Sequence, residues 1–166
     1  MKRIHLHVAV DDLATSIGFY NTLFGTSPTV EKVDYAKWML DDPLVNFAIS
    51  QRGAKAGLDH IGIQVENSDE LIEIKTRLET ADMNMLTQEG TTCCYAKSDK
   101  HWVQDPSGIA WETYHTLEGA PTFNNASESM DTTSNCCVPN SQAIQFVSRQ
   151  EKVAASNPQS RMNEQP

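Results

Sequence analysis

The sequence predicts an α+β fold made of two tandem β-α-β-β-β modules, about residues 1–52 and 57–117, followed by a polar tail. Three observations predict it. A strand-like HLHVAV at His5–Val10 returns as HIGIQV at His60–Val65, 55 positions later. Each copy is followed by a capped stretch whose apolar residues recur at three- and four-residue steps. The echo then continues at an offset of 64, with Trp38 matching Trp102, Phe47 matching Trp111 and Ala48 matching Glu112.

Each element follows in order. His5–Val10 alternates as a half-buried strand does, which sets His5 and His7 on one face. Asp11–Asp12 caps a helix over Leu13–Phe24, striped by Leu13, Ile17, Tyr20 and Phe24 and ended by Gly25. Strands at Thr29–Val33, Tyr35–Asp41 and Leu44–Ser50 complete the module, with Asp42–Pro43 as the last turn. Gly53–Gly57 links the modules. In the second, Ser68 or Asp69 caps a helix through Leu71, Ile74 and Leu78 to about Ala81. Growth of the offset from 55 to 64 puts about nine extra residues before the third strand of that module. Thr91-Thr92-Cys93-Cys94 falls in this insertion as a tight polar loop. Residues 118–166 are rich in Ser, Asn, Gln, Thr and Pro, with at most a short helix near Ser141–Lys152. Such a segment buries too little to offset its ordering entropy, and disorder is expected.

The chain has 166 residues and a net charge of −9, with a pI near 4.9. An acidic chain of this kind repels phosphate backbones and anionic headgroups, so neither nucleic acid nor a membrane is an expected partner. No apolar run approaches the roughly 20 residues of a membrane-spanning helix. The apolar start is broken by His5, His7, Asp11 and Asp12, which argues against a signal peptide and for the cytoplasm. There the pairs Cys93–Cys94 and Cys136–Cys137 are expected as thiols rather than structural disulfides.

The chemistry gathers on few residues. If the modules pack as pseudo-symmetric halves, His5 and His60 approach from the two first strands, and Glu112 from the last strand. Two imidazoles and one carboxylate form the facial triad of non-haem iron sites and leave positions open. Ala48, at the counterpart of Glu112, withholds a fourth ligand. A lone strand histidine is more often a hydrogen-bonded core residue; two at repeat-equivalent positions beside one enclosed acid outweigh that reading. His7 shares the face of His5 and could replace it or move protons beside it. His101 reads first as a strand residue that could flank the pocket.

Neighbours on a regular strand point to opposite faces, whereas an irregular loop lets Cys93 and Cys94 turn both sulfurs toward one soft guest. Trivalent arsenic, cadmium, zinc and copper(I) are such guests. Lys97 and Lys100 stand near enough in sequence to lower a thiol pKa, and Tyr95 adjoins the pair. A bare cysteine pair is a weak signal, since one thiol often packs as a small hydrophobe. Cys136–Cys137 could trap a soft ion, but nothing positions it.

VDDL…FY…LFG near the start, LDHIGIQV in the middle and TTCCYA-x-x-DK-x-WV-x-DP-x-G-x-x-WE-x-Y at the end resemble a known family. The duplicated unit is similar to the vicinal oxygen chelate superfamily of glyoxalases, extradiol dioxygenases and fosfomycin-resistance proteins. The long last motif resembles its organoarsenical carbon–arsenic lyases, grouped with cadmium-induced proteins. The resemblance covers about residues 1–117. It implies one open barrel-like sheet, an Fe(II) cofactor, and use of dioxygen to release arsenite from trivalent organoarsenicals such as methylarsenite or aromatic arsenicals. It implies His5, His60 and Glu112 as iron ligands and catalytic centre, with Cys93 and Cys94 as arsenic-binding thiols. Glutamine also serves at the position of His5 in this group. Asp99 and Lys100 match the pattern without an assigned role; Tyr95, Lys100, His7 and His101 are expected around the site. The chain is expected as a monomer or homodimer. Competing readings are an extradiol dioxygenase or thiol transferase, which leave the cysteines unexplained, and a sequestering protein that binds cadmium or arsenite through thiols. Dioxygen consumption separates the last from an enzyme.

Overall fold

A computed structural model of the chain describes residues 1–123. The first module runs β1 (Arg3–Ala9), α1 (Leu13–Phe24), β2 (Val30–Lys32), β3 (Tyr35–Asp41) and β4 (Leu44–Ser50). The second runs β5 (Gly57–Val65), α2 (Ser68–Thr80), β6 (Leu86–Cys93), β7 (Ala96–Gln104) and β8 (Ala110–Gly119). All eight strands form one sheet in the order β2-β3-β4-β1-β5-β8-β7-β6. The first strand of each module lies parallel to its last, and β1 and β5 join the modules as antiparallel neighbours within one chain.

Local chemistry accounts for the helices. The Asp12 carboxylate accepts the backbone N–H of Thr15 at 2.9 Å, and Gly25 takes the left-handed φ of 68° that ends α1. At α2 the cap is Asn67, one residue before Ser68 and two before Asp69, because its side chain reaches the N–H of Glu70 at 2.9 Å. Both helices cover the outer face of the curled sheet. Leu13 of α1 packs with Ala36, Trp38, Phe47 and Ile49 of the sheet; Leu71 and Ile74 of α2 pack with Val65. Trp38 is wholly buried, and its indole N–H donates to Asn21 and to the carbonyl of Thr26. Trp38→Ala is expected to cost about 3–5 kcal/mol of unfolding free energy, read from the denaturant midpoint, since it leaves a large cavity and two orphaned acceptors. An unchanged midpoint would refute the packing role.

Three expectations are corrected. Trp38 and Trp102 are not equivalent, although both are tryptophans 64 apart. Lys37 pairs with Ala48 across β3 and β4, and Trp102 pairs with Glu112 across β7 and β8, so the third strands correspond at an offset of 65. Trp38 therefore faces the helix, whereas Trp102 faces inward, its ring 5.1 Å from that of His60. The insertion is not a polar loop either: it lengthens β6 to eight residues, against three in β2. Finally, ordered packing continues past residue 117, for β8 ends at Gly119 and Phe123 packs with Tyr35, Ala48 and Cys93. The expected tail disorder, and the Cys136–Cys137 pair, concern residues outside those described beyond 123.

Candidate metal and thiol site

The inner face of the sheet is polar at the seam between modules. Leu6 and Ile61, repeat-equivalent residues, pair with each other on the pseudo-twofold axis. Their neighbours His5, His7, His60 and Gly62 all turn to the other, inner face, with His5 opposite Gly62 and His7 opposite His60. His5 and His60 thus meet diagonally, their Nε2 atoms 3.2 Å apart. Glu112 enters from β8 beside Gly62, with Oε2 at 3.6 Å from His60 Nε2 and 3.8 Å from His5 Nε2. A methyl at Gly62 would overlap the carbonyl oxygen of Glu112 and press its Cβ at 3.2 Å. Only glycine lets the carboxylate approach this closely.

The hydrogen bonds fix the chemistry of these atoms. His5 Nδ1 lies 3.1 Å from the carbonyl oxygen of Asn46. A carbonyl only accepts, so Nδ1 carries the proton and Nε2 presents a lone pair inward. His60 Nδ1 likewise donates to Asp59 at 2.7 Å. Asp59 can turn to its own neighbour because it is the extra residue of a bulge: Val8 pairs with Leu58 and His7 with His60. Glu112 gives Oε1 to the ammonium of Lys100 at 2.6 Å and keeps Oε2 for the histidines.

Two imidazole lone pairs and one carboxylate oxygen therefore converge on one point, an arrangement that demands a cation. Burial lowers the His5 pKa to about 3, helped by His60, and holds the ring neutral as a metal ligand must be. Burial alone would raise Glu112, but Lys100 and His60 together hold the carboxyl well below its usual range. Burial draws His60 down, yet its hydrogen bonds to Asp59 and Glu112 win and raise it. That direction is the demand for positive charge felt by a proton. The donor set fits a divalent first-row metal, with nitrogen and oxygen ligands on one side.

His7 also brings a ring nitrogen within 4.8 Å of those of His5 and His60. Its Nε2 faces the Ser50 hydroxyl at 2.9 Å and its buried Nδ1 has no hydrogen-bond partner among the described residues, so it stands behind the proposed triad rather than at the cavity. His101 lies on the other face of β7, paired with the Thr87 hydroxyl at 3.0 Å. Tyr95 is also turned aside, donating its hydroxyl to Asp34 at 2.6 Å.

Cys93 closes β6, and Cys94–Tyr95 form a two-residue hairpin turn with φ of 56° and 61°. Both positive values mark a primed turn, usually built from Asn and Gly. The left-handed backbone at Cys94 brings its sulfur beside that of Cys93, Sγ to Sγ 3.2 Å. A turn, not an irregular loop, makes the pair converge. The expected acidification by lysines is also corrected. Lys97 faces Glu118 at 3.4 Å; burial pushes the Cys94 thiol up and outweighs Lys100, which does pull it down although held by Glu112.

Both centres open on one small cavity of about 30 Å³, lined by Cys93 and Cys94 together with His5, His60, Glu112 and Lys100. Tyr35, Lys37 and Tyr114 also line it, and sequence reasoning passed over all three, as it did Asn46 and Asp59. The signal for Tyr35 and Lys37 was their alternation on one strand; nothing in the sequence marked the bulge at Asp59.

The family model described as Glyoxalase/Bleomycin resistance protein/Dioxygenase superfamily matches residues 2–113. The trivalent organoarsenical cleaving enzyme of Bacillus sp. (strain MD1) is 36% identical, over 82% of this chain and 99% of its own. Cadmium-induced protein CadI of Mycobacterium bovis is 35% identical, over 82% of this chain and 93% of its own. Among solved structures, homoprotocatechuate 2,3-dioxygenase from Brevibacterium fuscum aligns with a TM-score of 0.54 at 17% identity, covering 73% of this chain and 38% of the other. That last likeness speaks to the fold.

Proposed function

The chain belongs to the Glyoxalase/Bleomycin resistance protein/Dioxygenase superfamily, and from that premise we propose that it cleaves the carbon–arsenic bond of trivalent organoarsenicals, using iron(II) and dioxygen. The observation that carries the reading is the shared cavity: a soft sulfur pair and a nitrogen–oxygen ligand set open on the same space. Relatives named for organoarsenical cleavage support it.

His5, His60 and Glu112 would hold the iron, which when bound supplies the redox chemistry by which dioxygen reacts. The rest falls to the chain. With Cys93 in its reduced state, the Cys93 and Cys94 thiols displace two hydroxyls from a trivalent arsenical. Each S–H proton leaves with a hydroxide as water, so a thiol kept protonated by burial still reacts and no charge is added to the cavity. Held by two sulfurs, the organic group has little freedom, and such pre-orientation can supply several kcal/mol of a barrier, on the order of 7. Asn46 and Asp59 keep both imidazoles in the ligating tautomer. Lys100 orients the carboxylate of Glu112.

Cys94→Ser, kept reduced, is expected to weaken methylarsenite binding by about a hundredfold while iron remains bound at one equivalent, because sulfur–arsenic bonds are lost and the triad is untouched. Tryptophan quenching and metal analysis read the two separately; loss of iron together with arsenical would sink this division of labour. The activity itself is tested with iron-loaded protein and methylarsenite under nitrogen, then in air, with arsenic species separated by chromatography. Arsenite released only with both iron and oxygen is the expected result. Tight binding without dioxygen consumption would replace the enzyme by a sequestering protein.

A further inference from the structure

We propose that Lys37 makes the cavity selective for arsenicals whose organic group bears an anionic substituent, a carboxylate or its like; this rests on the arsenical reading above. The argument starts from the sheet. Lys37 and Ala48 on β3 and β4 are the counterparts of Trp102 and Glu112 on β7 and β8. In the second module a carboxylate and an indole fill that place. In the first, alanine clears it, and the lysine side chain is what projects over the gap into the cavity.

The charges then have to be reckoned. Glu112 is held by Lys100 at 2.6 Å, and His5 is neutral, so the metal end of the cavity is matched within itself. The Lys37 ammonium has no ion pair or hydrogen bond among the described residues, although the chain as a whole is strongly acidic. Burial lowers its pKa, as for a cation stripped of water without a carboxylate in return. Capture of an arsenical by two thiols adds no charge, because both protons depart as water. An anion to satisfy Lys37 must therefore come with the organic group. Tyr35 adds a second donor: it lies on the same face two residues away, lines the same cavity, and its hydroxyl has no hydrogen bond among the described residues. An ammonium and a hydroxyl at alternate positions of one strand suit the two oxygens of a carboxylate.

The test uses the reduced, metal-free full chain with phenylarsenous acid and 4-carboxyphenylarsenous acid, titrated calorimetrically. The wild type is expected to bind the carboxylated compound about tenfold more tightly, a preference that Lys37→Met removes and Lys37→Arg largely keeps. Binding of the unsubstituted compound should change by less than roughly twofold in both variants. Equal losses for both compounds would overturn the assignment and make Lys37 a partner of the thiols. Equal wild-type affinities would overturn it too, while leaving the arsenical reading in place. Failure of both compounds to bind the wild type would sink the arsenical reading and the anion site with it. Circular dichroism of both variants, and Lys37→Gln should the methionine variant misfold, keeps the comparison on folded protein.

Discussion

Gly62→Ala is expected to abolish metal binding and destabilise the fold, although it adds a single methyl and removes no ligand atom. The new Cβ would overlap the backbone oxygen of Glu112, and backbone does not yield as a flexible side-chain end does. Strand β8 must move away from β5, and the carboxylate moves with it. Overpacking of this kind costs about 1–3 kcal/mol, and more where backbone must shift. Iron affinity should fall by at least about a hundredfold, since a displaced ligand counts nearly as a missing one. Gly18→Ala is the control: nothing lies within 4 Å of its added Cβ on α1, and alanine there should stabilise by up to about 1 kcal/mol. A Gly62→Ala protein that binds iron as the wild type does would show the close approach of β8 to be unnecessary.

Glu112→Ala should be the most damaging single change to the site, for two separable reasons. It removes the only anionic member of the triad, and it strands the Lys100 ammonium, which is 4% exposed and bonded to that carboxylate. Breaking one side of a buried ion pair costs about 3–5 kcal/mol, most of it the penalty of the charge left behind. Removing both charges as Glu112→Ala with Lys100→Met should recover a large part of that stability and none of the metal affinity. Urea unfolding and metal analysis across the four proteins give both numbers. Additive losses in the double variant would mean that the pair contributes nothing as a pair.

Much of this site was legible in the chain because duplication writes itself into sequence. The recurrence of HLHVAV as HIGIQV located β1 and β5, and equivalence across a twofold axis brought His5 to His60 before any coordinate was known. The acid at Glu112 could be read because its counterpart is alanine. The errors share one cause: period and offset say which residues correspond, not how strands shift against one another. The β7–β8 connection is one residue shorter than its β3–β4 counterpart, which moved the correspondence from Trp38 to Lys37. The bulge at Asp59 turned a residue toward its own neighbour against the alternation rule. The cysteine pair looked like a loop because CysTyr is an unusual occupant of a primed turn, where Asn-Gly would have announced a hairpin. Lysines near the thiols in sequence were taken as their activators; Lys100 does pull the Cys94 thiol down, but burial outweighs it, and Lys97 is engaged by Glu118.

The axis through Leu6 and Ile61 has a consequence for how the molecule holds together. With His5, His60 and Glu112 as the proposed ligands, one would come from the first module and two from the second, and an ion at the seam would tie two bodies otherwise joined by the Gly53–Gly57 link and by β1 lying on β5. Neither module owns the site, and neither can lose its partner without losing the ion. Ligand binding to the native state alone adds RT ln(1 + [L]/Kd), about 2.7 kcal/mol at a hundred times Kd. On the proposed metal reading, cellular metal supply would act as a clasp on the chain itself: without the ion, strand pairing and the link alone hold the halves together.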